Sequence, residues 1–128
     1  MTDGKSIIWV MAGGALGAAA RYLLGLWAMR RWGGAFPWGT LLINLTGCFL
    51  LGTFAGLRSG GRVALPAFLT PAFGVGFVGA YTTFSTFAVE TLALLEAPRS
   101  GAALAYVGLS IGLGLPLAAA GLWIGRQA

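Results

Sequence analysis

Histidine is absent from this sequence, cysteine occurs once, at Cys48, and the only carboxylates are Asp3, Glu90 and Glu96. The first two shortages exclude an intrachain disulfide and a metal site built from His and Cys. The third removes most of what acid–base or nucleophilic catalysis would use. With no nucleophile–base pair and no phosphate-cradling loop in the sequence, the chain does not read as an enzyme. Charge of either sign is scarce, at 9% of 128 residues against 58% hydrophobic. That balance leaves little for a water-soluble surface and indicates an integral membrane protein. The net charge of +5 is not a nucleic-acid footprint, and no nucleic-acid partner is expected. Lys5, Arg30, Arg31, Arg58, Arg62, Arg99 and Arg126 sit near the ends of apolar runs, where cations anchor to headgroups. Only Arg21 falls inside a run.

Four such runs, at about 6–29, 38–57, 66–95 and 102–124, predict an all-α, four-span membrane domain covering 1–128. The first is too long and too glycine-rich for a cleaved leader, and three more follow it. Arg21 lies about 21 Å along that helix from Ile7. It either snorkels to the interface or lines a vestibule. In the second run Thr40, Asn44 and Cys48 recur every four residues and share a face. Asn44 is either interhelical glue or a transport group, and Cys48 reads as a small packing residue. Small-xxx-small pairs at Gly13/Gly17, Gly52/Gly56, Gly108/Gly112 and Gly121/Gly125 offer close helix contacts. Trp27, Trp32 and Trp38 read as interfacial anchors. In the fourth run Tyr106, Ser110 and Gly114 share a face, and Pro116 predicts a kink.

The third run is the odd one. Pro66 to Leu95 as one straight helix would be about 45 Å long, against about 30 Å of hydrocarbon. Its middle, Gly74 to Phe87, reads GVGFVGAYTTFSTF, with hydroxyls at Tyr81, Thr82, Thr83, Ser85 and Thr86. A helix broken near 79–83 reconciles the two, and breaks at mid-membrane are where ion sites tend to be built. The hydroxyls can bond back to their own helix or serve as donors. Phe84 and Phe87 can pack against lipid or turn their electropositive ring edges to an anion. Glu90 can belong to an ion pair, a wet vestibule or a substrate site. A span set rich in neutral donors and poor in carboxylates favours an anion over a cation as cargo.

Three stretches carry a resemblance. Gly13–Tyr22 (GGALGAAARY), Gly39–Gly47 (GTLLINLTG) and Gly76–Phe87 (GFVGAYTTFSTF) resemble the signature stretches of the Fluc/CrcB fluoride channels, in the same order and across the whole chain. The resemblance implies a bacterial inner-membrane channel that passively exports fluoride, built as an antiparallel, dual-topology homodimer with two pores. It implies pore roles for Asn44, Phe84 and Phe87, for the hydroxyls Thr83, Ser85 and Thr86, and for a polar track at Tyr106 and Ser110. It also implies a structural sodium ion at the dimer centre, held by the carbonyls of Gly79 and Thr82. Gly114 stands where a further hydroxyl of the track would be expected. Two other classes compete. A small dual-topology exporter of guanidinium-like cations would need a carboxylate deep in the first span, which has none. A non-transporting assembly subunit would explain the glycine faces but not the hydroxyl cluster. The cations balance across the membrane, with Lys5, Arg58, Arg62 and Arg126 on one side and Arg30, Arg31, Arg99 and a snorkelling Arg21 on the other. Such balance leaves orientation unbiased, as an antiparallel pair requires.

Overall fold

The computed structural model describes residues 3–128, and every regular element in them is helical. They are α1 (Asp3–Trp32), α2 (Trp38–Gly60), a π-helical segment (Thr70–Val78), one α turn α3 (Gly79–Tyr81), α4 (Phe84–Glu96) and α5 (Ser100–Gln127). Four spans are long and apolar enough to cross a membrane: 4–32, 38–60, 70–96 and 100–127. The third starts at Thr70, not at Pro66 as the hydropathy suggested. Residues 61–68 are not helical, and Pro71 sits in the first turn of the segment, where its missing N–H would have no helix partner in any case. α5 runs unbroken through Pro116.

Between α3 and α4, Thr82 (φ −84°, ψ 161°) and Thr83 (φ −153°, ψ 120°) are extended. Thr83 also caps α4, its Oγ1 accepting from the Thr86 amide at 3.3 Å. A Thr at this position satisfies one of the orphan donors of a helix start.

Glycines set the helix contacts. α1 lies on the π-helical segment, with Gly13 against the Ala72 carbonyl and Gly17 against the Phe77 carbonyl. α2 and α5 form the most extensive pair. Gly52 meets Ala118, Gly56 meets Leu122 and Gly60 meets Arg126, at a constant separation in sequence, so the two helices run parallel and in register. From the other side Gly121 sits on Phe49 and Gly125 on Thr53. A carbonyl against a glycine Cα permits backbone approach that no side chain allows. Gly108 and Gly112 take no part, since nothing lies within 4 Å of where their Cβ atoms would be. They point away from α2, and the packing face expected there is open.

A small core sits at the other end of the α2–α5 seam, where Leu41, Leu94, Ala103 and Tyr106 are buried with Phe36, Leu45, Phe87 and Ala102 around them. Gly33, at φ +72°, turns the chain between α1 and α2 in a conformation that glycine adopts without strain. The Arg99 guanidinium donates to the Ala35 carbonyl and ties this turn to the α4–α5 connection.

Candidate functional site: two clefts meeting at Thr83

The register of α2 against α5 carries the polar face of each helix onto the other. Continuing the glycine pairing toward the α2 N-terminus sets Thr40 opposite Tyr106, Asn44 opposite Ser110 and Cys48 opposite Gly114. The last pairing is direct, as a Cβ on Gly114 would lie 3.5 Å from Cys48 Sγ. At the first, the Thr40 hydroxyl donates to Glu90 Oε1 at 2.9 Å and the Tyr106 hydroxyl to Glu90 Oε2 at 2.7 Å. Tyr106 is fully buried. Both carboxylate oxygens are thus held by neutral hydroxyls, and an anion that is to use either donor must take it from Glu90. At the second rung the Ser110 Oγ is buried without a partner. A buried hydroxyl costs roughly 1–3 kcal/mol unless it is hydrogen-bonded.

Asn44 has a more specific task than spacing suggested. Its Nδ2 donates to the Thr83 carbonyl and its Oδ1 accepts from the Thr83 amide, both at 2.9 Å. One side-chain amide therefore engages both backbone groups of Thr83, supplying the partner for an N–H that neither flanking helix serves and adding a donor to the carbonyl that opens α4. It also retains one unused Nδ2 hydrogen.

The five hydroxyls of the Gly74–Phe87 stretch divide into two sets. The Tyr81 hydroxyl pairs with Thr46 Oγ1 at 2.7 Å, and Thr82 Oγ1 donates back to the Val78 carbonyl at 3.0 Å. Those two belong to packing. Tyr81 also ends a stack of rings, Phe54–Phe73–Phe77–Tyr81, with centroids 5.2–5.8 Å apart. Thr83, Ser85 and Thr86 form the second set, with Thr83 Oγ1 donating to Thr86 Oγ1 at 3.0 Å and lying 3.4 Å from Ser85 Oγ. Ser85 and Thr86 are exposed.

Two open clefts reach this second set. The larger, about 480 Å³, runs from Gly33 and Trp38 past Arg21, Thr40 and Glu90 down to Thr83 and Thr86. A smaller one of about 280 Å³ is bordered by Asn44, Cys48, Thr82, Thr83 and Phe84. Thr83 borders both, so the Asn44–Thr83 pair stands between them. Phe84 is 79% exposed, with its ring centroid 5.8 Å from that of the half-buried Phe87. Phe87 in turn lies 5.0 Å from Tyr106. No group of three or more His, Cys, Asp or Glu gathers among the described residues.

Across residues 8–122 the sequence matches the family described as "CrcB-like protein, Camphor Resistance (CrcB)". The chain belongs to the CrcB family. Curated CrcB relatives agree along nearly their full length. The "Fluoride-specific ion channel FluC" of Acidobacterium capsulatum is 44% identical over 120 residues, covering 94% of this chain and 95% of that one. Proteins of the same name from Rhizobium meliloti and Nitrobacter winogradskyi are 45% and 46% identical, each over 94% of this chain and 95% and 94% of their own. With four membrane-spanning helices, this CrcB chain is a multi-pass membrane protein and not an enzyme.

Within the CrcB chain, the residues singled out from sequence take four places, with Ser85 exposed and lining neither cleft. Arg21 and Glu90 border one cleft with Thr83 and Thr86. Asn44, Thr82, Thr83 and Phe84 border the other. Phe87, Tyr106 and Ser110 lie behind these walls, and Gly79 is exposed with open space around it. Sequence reasoning missed Phe36, whose ring meets Tyr106 edge-on at 5.6 Å, and the role of Thr40 as a Glu90 partner. The four-residue spacing of Thr40, Asn44 and Cys48 contained the second signal. Nothing in the sequence marked Phe36.

Proposed function

We propose that this chain forms a passive, fluoride-selective path across a bacterial inner membrane, letting the ion leave the cell. The observation that carries the reading is the meeting of two clefts at Thr83 and Asn44, in a chain whose near full-length relatives are named fluoride-specific channels. Fluoride gives up its water only to closely placed donors. The set that serves it is the free Asn44 amide hydrogen, the hydroxyls of Thr83, Ser85 and Thr86, and the orphaned Ser110 hydroxyl with Tyr106 behind it. The edges of Phe84 and Phe87 add weak positive potential that an ion can leave. Arg21 and Glu90 flank the approach. A negative cell interior drives expulsion at about 2.3 kcal/mol per charge per 100 mV, so no energy-coupling site is needed.

In this reading the third span is a broken membrane helix with its gap at mid-depth, and the extended Thr82 and Thr83 support that. Two chains pair antiparallel in the bilayer. The exposure of Phe84 and Gly79 and the balanced cations on the two membrane faces support the pairing. Around the two-fold axis the carbonyls of Gly79 and Thr82 from both chains hold a structural sodium ion. The open space at Gly79 and the extended backbone at Thr82 fit such a ligand set. When bound, the ion supplies a fixed positive potential beside the anion path and does not itself move.

Liposomes containing the purified protein and loaded with fluoride, chloride or guanidinium test the reading. Fluoride should leave rapidly, chloride and guanidinium should not. Phe84→Ile and Phe87→Ile should each slow fluoride at least about tenfold while the protein still elutes as a dimer. Guanidinium flux in place of fluoride flux would replace this function with that of a small-cation exporter.

A further inference from the structure

We infer that the groove between the 33–37 turn and the end of α4 is an anion mouth, with Arg99 at its rim and Phe36 on the side it shares with the Arg21 cleft. The inference rests on the fluoride reading above and says where the ion enters and leaves on this face.

The groove has a volume of about 280 Å³, and its lining includes Gly34, Phe36, Ala97 and Arg99, with Glu90 at its floor. Among its lining residues only Arg99 and Glu90 are charged. The Arg21 cleft passes the same Glu90 and shares Met29, Phe36 and Pro37 with the groove. Two openings, each bearing one arginine, therefore converge on one carboxylate, whose oxygens hold the Thr40 and Tyr106 hydroxyls. Phe36 borders both openings, and its ring meets Tyr106 edge-on.

Arg99 is an exposed side chain at the membrane surface, and a headgroup anchor is its ordinary role. Two features set it apart. Its guanidinium is drawn across to the Ala35 carbonyl, which holds the charge over the groove. That bond uses only part of a five-donor fork, leaving N–H groups for an anion. A cation so placed works against the repulsion that Glu90 presents to an incoming fluoride. Its reach is about one Debye length, about 10 Å at 0.1 M salt. Steering of this kind speeds ion capture and fades as salt rises.

The test uses the full-length protein in liposomes of electrically neutral lipid, with fluoride efflux as the readout. Ala97 is exposed on the groove and Cys48 is the sole native cysteine. Ala97→Cys in a Cys48→Ser background therefore accepts a charged thiosulfonate reagent after assembly, which avoids any folding defect. A sulfonate-bearing adduct should slow efflux about threefold at low ionic strength, and a trimethylammonium adduct should not, each protein compared with itself before modification. Arg99→Gln should slow efflux about threefold at low ionic strength and match the parent at high, while Arg99→Lys keeps the parent rate. Equal rates for the two adducts, or an Arg99→Gln protein indistinguishable from the parent at low salt, would remove the mouth and leave the fluoride function standing. A parent that passes no fluoride would overturn both.

Discussion

Along the seam between α2 and α5, the stretch from Gly52 to Gly60 and the stretch from Thr40 to Cys48 face the same helix in the same register, yet they solve different problems. In the first, glycines on both helices press against partner carbonyls, and backbone meets backbone. In the second, side chains fill the seam. Thr40 and Tyr106 share Glu90, Ser110 is left without a partner, and Gly114 leaves ordinary van der Waals room beside Cys48. The glycine half sets distance and register between the two backbones, and that register brings the polar side chains of the other half face to face.

Substituting one glycine in each half separates them most sharply. In Gly121→Ala the new methyl would collide with the Phe49 carbonyl and lie 2.8 Å from the Thr53 amide, both rigid backbone. α2 and α5 must then part, at a cost of at least about 1–3 kcal/mol. Little monodisperse protein should survive size exclusion, and what does should melt earlier than the parent.

An intermediate effect is expected at Asn44, where the two halves of the third span are held. Asn44→Asp keeps an acceptor for the Thr83 amide but sets a second acceptor against the Thr83 carbonyl, where a 2.9 Å donor now sits. The lost bond and the facing oxygens cost about 1–3 kcal/mol, and the added negative charge opposes an anion. Fluoride efflux should fall at least about tenfold while the protein still elutes as the parent does. Parental efflux at neutral pH would show that Thr83 can be held through its amide alone.

The smallest change belongs to Gly114→Ala. Its methyl meets Cys48 Sγ at 3.5 Å, an ordinary contact. Alanine also favours the helix over glycine by up to about 1 kcal/mol. The melting temperature should stay level or rise slightly. A loss as severe as that of Gly121→Ala would mean the seam is uniformly tight and the contrast false.

Much of this architecture was legible in the sequence, because hydropathy and length dictate spans directly. The four helices and the shared face of Thr40, Asn44 and Cys48 follow from runs and from a spacing of four. Other features depend on a partner that spacing cannot name. Nothing local says that Tyr81 will be taken by Thr46 while Thr83 stays at a cleft, since both are hydroxyls in one short motif. Gly121/Gly125 and Gly108/Gly112 are the same pattern on one helix, yet only the first meets α2. The start of the third span was misplaced by four residues for a related reason. Apolar residues from Pro66 onward satisfy a membrane whether or not they are helical, and hydropathy alone does not mark the first turn, which holds Pro71.

The parallel pairing of α2 with α5 also has a consequence in time. α2 is complete once Gly60 has been synthesised, but its principal partner ends at Gln127. At about 5–20 residues per second, the glycine face of α2 waits on the order of several seconds in the bilayer before α5 arrives. Through that interval Thr40 and Asn44 must find water, lipid headgroups or the half-made third span. α5, made after α2 and after the third span, is thus the helix that closes this seam. A chain that stalls before Ser100 would present a bare small-residue stripe to any neighbouring helix, and membrane quality control could read that stripe as a mark of the unfinished product.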